Sequence, residues 1–235
     1  MIATQEHWNY RNPVHIHFGA GRLAELPALV AGRRALVVTT PGFTRRGLTA
    51  RVRDLLAGAD VLVLDTVQPN PDLAGVERDC RDLVGERVDV LVGLGGGSAI
   101  DMAKALSLLL RARAPELLLA HFESGAALPD VEPLPLIAVP TTAGTGSEVT
   151  PFATIWDHLR GKKYSLAGPR LYPQAALLDP ALTISLPAEE TIATGLDALS
   201  QGFEAIWNRN ATPITTLYAG RAIALARAAL PRLVA

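Results

Sequence analysis

The sequence predicts an α/β protein in which a parallel sheet, covered on both faces by helices, is followed by the start of an all-helical domain. Three observations carry this reading. Short, continuous apolar runs end in turn residues, and amphipathic segments of helical period lie between them. After about residue 182 the strand-like runs stop, and the chain becomes alanine-rich and helical in period.

Taken in order, residues 14–18 (VHIHF) alternate and meet a Gly-Ala-Gly turn, which predicts a short strand followed by a helix over 23–31. Residues 35–38 form a continuous apolar run bounded by Thr39, Thr40, Pro41 and Gly42, as expected of a strand buried on both faces. An amphipathic segment over 49–56 leads to VLVLD at 61–65, and the cycle repeats with a helix over 73–84, a strand over 88–94 and a helix over 99–110. A further strand, PLIAVP at 135–140, opens into a glycine- and threonine-rich loop, and residues 154–178 read as short strands with turns. Strand and helix alternation of this kind predicts a Rossmann-like domain over residues 1–182. Residues 183–235 read as the incomplete beginning of a helical domain, with Pro187 near a helix start and Pro231 interrupting the last helix.

Composition limits the partners. With 22 basic and 23 acidic residues the net charge is −1, so no broad field favours nucleic acid or an anionic membrane. The single cysteine, Cys80, allows no internal disulfide, and no CxxC pair suggests structural zinc. The N-terminal stretch MIATQEHWNYRNP lacks the pattern of a secretory leader, and no apolar run approaches the roughly 20 residues that span a bilayer. A reduced, cytoplasmic setting is the expectation.

Two loops carry the chemistry. VDVLVGLGGGS runs straight into AIDMAKALSLLL, so Gly95, Gly96 and Gly97 sit at a strand-to-helix turn. There a backbone without Cβ atoms can approach a diphosphate, and the free N–H groups and positive end of the helix face the anion. Ser98 adds a hydroxyl. Asp101 and Lys104, three apart, share a helix face and can point together; the plain alternative is a surface ion pair. The second loop, PTTAGTGSEVTP at 140–151, follows a strand at the sheet edge where open α/β sheets bind ligands, and it offers the hydroxyls of Thr141, Thr142, Thr145 and Ser147.

Together GGGSAIDMAKA and PTTAGTGSEVT resemble the paired motifs of iron-containing (group III) alcohol dehydrogenases. Lys163 in GKKYSLAGPRLYPQ, then AALLDPALTISLP and ATGLDALSQGFEA, follow in the family's order. The resemblance implies that Gly96, Gly97 and Ser98 bind the pyrophosphate, Thr141, Thr142 and Thr145 the nucleotide, and Lys163 with Leu178 the nicotinamide ribose. It places Asp101, the one catalytic candidate, near the nicotinamide. The implied reaction is hydride transfer between NAD or NADP and a small aldehyde or alcohol, with a divalent metal (Fe or Zn) polarising the carbonyl. A homodimer through the first strand is implied as well. Members that prefer NAD often carry an acid at the end of the first nucleotide strand. Thr40 stands there, with Arg45 and Arg46 nearby, so both NADH and NADPH remain open.

The metal site departs from the family pattern of one aspartate and three histidines, the first histidine four residues after the aspartate. Asp197 matches, but Gln201 stands four residues on and offers only a weak, neutral amide oxygen. All five histidines, His7, His15, His17, His121 and His158, precede Asp197. We therefore expect an N-terminal piece of a longer polypeptide, with a shortened homologue lacking metal catalysis as the alternative. The stretch FEAIWNRNATPIT is similar to the phosphonoacetaldehyde reductase branch, which implies phosphonoacetaldehyde as substrate, 2-hydroxyethylphosphonate as product and a place in phosphonate biosynthesis. Arg160, Lys162, Arg170 and Arg209 are cationic candidates for such an anion by charge alone. Competing readings are a nucleotide-binding module without catalysis and an enzyme of the glycerol-phosphate or dehydroquinate-synthase type.

Overall fold

A computed structural model describes residues 7–233. Residues 1–6 of the N-terminal stretch and residues 234–235 of the last helical segment lie outside the described residues. The chain divides into two compact units. One comprises Pro13–Thr141 with Ser147–Leu182, and the other comprises the residues up to Asn12, Thr142–Gly146 and those from Thr183 onward.

The first unit is the α/β part. Its strands are β1 (His15–Phe18), β2 (Ala35–Val38), β3 (Val61–Leu64), β4 (Val90–Gly95), β5 (Leu136–Pro140), β6 (Phe152–Asp157), β7 (Lys162–Ala167) and β8 (Ala175–Leu178). Six of them form one sheet in the order β1-β8-β5-β4-β2-β3, with every pair parallel. Strands β6 and β7 make a separate antiparallel hairpin in which Thr154 faces Ser165 and Trp156 faces Lys163.

The central strands read as unbroken apolar runs because both faces are covered. On β2, Leu36 and Val38 join the core beneath the helices α4 (Leu73–Leu83) and α5 (Gly97–Ala112), while Ala35 and Val37 join the opposite core with Leu23, Leu26 and Val52. On β4, Leu91 belongs to the first core, and Val90, Val92 and Leu94 to the second. Gly93 has a packing reason: a Cβ there would stand 3.3 Å from the Ala103 Cβ and 3.4 Å from the Ile100 Cα, so its absence lets α5 lie close on the sheet.

Three elements differ from expectation, one of them a short helix over Pro41–Arg45, where the sequence reads as turn residues. The first helix breaks into a 3-10 turn, Arg22–Glu25, and a short α1 (Leu26–Val30), with Pro27 in its first turn and Ala31 ending it in the left-handed region. Helix α6 (Leu117–Ser124) has no counterpart in the sequence reading, because LLLA is apolar on every face and gives no periodic signal. The remaining helices of this unit, α2 (Pro41–Arg45) and α3 (Leu48–Leu55), follow β2.

The second unit is built on two helices, α7 (Ala188–Trp207) and α8 (Pro213–Ala229). They approach where α7 has no side chain: a Cβ on Gly202 would fall 2.8 Å from Ile223, and one on Gly195 would fall 2.5 Å from Leu230. Helix α8 opens with a capping box, Thr212 accepting from the Thr215 N–H while the Thr215 hydroxyl accepts from the Thr212 N–H. A 3-10 turn, Leu230–Leu233, replaces the helix at Pro231.

Candidate functional site

Because all six sheet strands run the same way, their C-terminal ends share one edge, the place where such sheets take ligands. The turn from β4 into α5 lies on that edge. Gly95 has φ +151°, which disfavours a side chain, and a Cβ there would sit 2.8 Å from the Ala99 Cβ. Gly95 therefore makes the turn itself. Gly96 is the N-cap of α5 in extended conformation, with no side chain to cap the helix, which leaves first-turn N–H groups for a ligand. Gly96, Gly97 and Ser98 are half-buried, whereas Gly95 and Ala99 on either side are buried. The Ser98 hydroxyl accepts from the Asn70 N–H at 3.1 Å, so its own proton remains to donate.

The neighbouring strand ends are tied to this turn. The Thr141 N–H donates to the Gly95 carbonyl at 3.0 Å, and the Thr39 hydroxyl to the Leu94 carbonyl at 2.8 Å. Thr141 is fully buried and its Oγ1 has no hydrogen-bond partner. An unsatisfied buried hydroxyl is costly, and beside a glycine turn that opens to an anion it fits a bound nucleotide. Thr40 caps the short α2 at the end of β2, half-buried, with its side chain making no cap bond. Leu178 closes β8 and packs in a small core with Ile100, Ala138 and Ala176.

Asp101 and Lys104 do point together, but within the protein rather than as a surface pair. Lys104 has no exposed surface, and its Nζ donates to Ser147 Oγ at 3.0 Å, Thr150 Oγ1 at 3.3 Å and the Phe152 carbonyl at 2.6 Å. The Asp101 carboxylate stands 3.9 Å from that ammonium, accepts from the Ser147 hydroxyl and, at 2.8 Å, from the Thr154 N–H. Burial pushes Lys104 down to about 8, with Asp101 and Glu148 acting the other way. Burial also raises Asp101 and Glu148 above the ordinary carboxylate range. Both Asp101 oxygens are thus engaged by α5's neighbours. Lys163 stands exposed on β7, its ammonium 5.6 Å from the Trp156 ring centroid.

Asp179 was not singled out by the sequence reading beyond its place in LLDP. It is buried and binds three backbone N–H groups, those of Gly21, Leu23 and Ala181, each at 3.1 Å. Against burial, those bonds hold its carboxyl below the usual range. It fixes the turn after β1 to the end of β8 and is a structural carboxylate.

Thr142 and Thr145 belong to the second unit. There Gly144 lies so close to α7 that a Cβ would meet the Thr194 carbonyl oxygen at 2.6 Å. On α7, Gln201 does share a face with Asp197: its amide Nε2 donates to Asp197 Oδ2 at 3.0 Å. Asp197 and Gln201 thus stand as one carboxylate and one neutral amide on a shared face, too weak a pair to hold a metal by themselves. Among the described residues no three His, Cys, Asp or Glu side chains gather as a metal-holding set. The residues present do not fit a metal centre. Of the cationic candidates, Arg160 is paired with Asp157 and Glu123, and Arg170 with Asp130. No helix among the described residues is long and apolar enough to cross a membrane.

Comparison with known proteins agrees with this geometry. Residues 13–180 match the family model described as iron-containing alcohol dehydrogenase. The chain is 40% identical over 223 residues to phosphonoacetaldehyde reductase of Streptomyces viridochromogenes, covering 90% of this chain and 55% of that protein. It is 36% identical over 208 residues to NAD-dependent methanol dehydrogenase of Bacillus methanolicus, covering 88% and 54%. Among solved structures it is similar to sulfoacetaldehyde reductase from Bifidobacterium kashiwanohense in complex with NAD+, with TM-score 0.89 and 34% identity over 98% of this chain and 61% of that one. The chain thus spans about half the length of the curated relatives it matches. On these grounds it belongs to the iron-containing alcohol dehydrogenase family.

Proposed function

We propose that this chain grips NAD(H) or NADP(H) for hydride transfer between the nicotinamide and a small aldehyde or alcohol. The observation that carries the reading is the β4–α5 glycine turn beside the buried, unpartnered Thr141 hydroxyl. Gly96, Gly97 and Ser98 would hold the diphosphate with N–H and hydroxyl donors, and Thr141, with Thr142 and Thr145, would bind the nucleotide. Thr40 would lie at the adenosine ribose, and Lys163 with Leu178 at the nicotinamide ribose. A bound dinucleotide would supply the hydride; the chain's part is to orient it and keep water away. Residues 1–182 would form the dinucleotide-binding domain and residues 183–235 the beginning of the helical domain. The substrate we favour is phosphonoacetaldehyde, on the 40% identity to a phosphonoacetaldehyde reductase.

A second reading has its own observation. The Gln201 amide donating to Asp197 favours nucleotide binding without metal-assisted turnover. One experiment separates the two: titrate the protein with NADH and NADPH by calorimetry, then assay aldehyde reduction with added ferrous or zinc ion. Binding with turnover supports the dehydrogenase, binding alone supports the module, and no heat with either nucleotide overturns both.

A further inference from the structure

We propose that Lys104 is a positioning residue: by fastening the base of the β6–β7 hairpin to the helix that carries the glycine turn, it sets where Lys163 stands and so governs affinity for the nicotinamide-ribose half of the dinucleotide. This rests on the nucleotide reading above and extends it to a residue that touches neither phosphate nor ribose.

The fastening is specific. A buried ammonium is expensive unless every N–H is used, and here three oxygens take the Lys104 protons: Ser147 Oγ, Thr150 Oγ1 and the carbonyl of Phe152, the first residue of β6. One turn earlier on α5, Asp101 accepts from the N–H of Thr154, two residues further along the same strand. Two side chains of one helix thus hold alternate backbone positions of β6. From β6 the antiparallel ladder passes the placement on, because Trp156 is the register partner of Lys163 and carries the Lys163 ammonium over its ring. Electrostatics join the same groups: the Lys163 charge acts on Asp101 against the rise that burial imposes. The hairpin has a second attachment, the Trp156 N–H donating to the Pro71 carbonyl at 2.8 Å, while the adjacent Asn70 N–H rests on Ser98 of the glycine turn. Loss of Lys104 should therefore free the hairpin's base and let the strands pivot about Trp156 rather than release them.

The test compares two ligands on the full chain, ADP, which has no nicotinamide ribose, and NADH or NADPH, whichever binds more tightly. Lys104→Met should weaken the dinucleotide about tenfold or more, as misplacement of a contact by a fraction of an ångström does, and leave ADP within about twofold. Lys163→Met should give the same pattern, and the double variant should be no weaker than Lys163→Met alone, a non-additivity that a merely structural lysine would not produce. Backbone amides of 152–167 should exchange faster in Lys104→Met while those of β4 do not. If Lys104→Met fails to fold, Ser147→Ala with Thr150→Val strips two of the three acceptors and carries the same comparison. Unchanged dinucleotide affinity, equal loss of both ligands, or full additivity with Lys163→Met overturns the proposal. A wild-type protein that binds neither ligand overturns the nucleotide reading itself, and this proposal with it.

Discussion

Helices α5 and α7 are both long and rich in alanine and leucine, yet their surroundings differ. Eleven residues of α5 are buried, Lys104 among them, whereas on α7 only Gly202 is. Leu196, Phe203 and Trp207 of α7 are 52%, 40% and 69% exposed, and Leu217 and Tyr218 of α8 are exposed as well. The difference teaches where this chain's stability and chemistry lie. On α5 enclosure makes every polar group matter, since each must find a partner, while the exposed apolar side chains of α7 contribute little to the stability of their own unit.

That contrast can be broken or sharpened by substitution. The largest effect is expected at the foot of α5: Gly95→Ala meets Ala99 at 2.8 Å in a backbone conformation that L residues avoid, and should cost about 4 kcal/mol in urea unfolding and abolish nucleotide binding. Next, Asp179→Ala leaves three backbone N–H groups without their carboxylate and should cost about 3 kcal/mol. Because the folded carboxyl lies below its ordinary pKa, its contribution is present at neutral pH and lost as pH falls; wild-type and variant stabilities should converge in acid.

Lys104 gives a smaller effect of opposite pH sense. Its pKa falls from 10.5 to about 8 on folding, so between those values the unfolded chain binds the extra proton and stability rises with pH. Relative to Lys104→Met, the wild type should gain at most about 3 kcal/mol across that interval, at about 1.4 kcal/mol per pH unit, read from denaturation midpoints at a series of pH values. Least of all, Trp207→Ser on exposed α7 should change unfolding free energy by no more than about 0.5 kcal/mol, and a loss comparable to Gly95→Ala would refute the comparison.

Much of this was legible in advance, and the exceptions are physical. The run Ala35–Val38 announced a two-sided buried strand because β2 is covered by both cores, and GGGS announced a turn because no other residue type suits Gly95's backbone. The spacing of Asp197 and Gln201 correctly gave one helix face, since four residues are about one helical turn. By contrast, no periodicity marked α6, and nothing in LLDP shows that Asp179 gathers N–H groups from residues more than 150 positions earlier.

The sequence by itself determined the order of the sheet's strands along the chain, the longer helices between them and the glycine turn, because each depends on neighbours within a few residues. Only the tertiary structure decided that Lys104 is interior, that Asp101 binds β6, and that the Thr141 hydroxyl is buried without a partner. Burial and hydrogen-bond satisfaction are set by segments distant in the chain, and whether an Asp–Lys pair faces water or a hairpin depends on what folds over it.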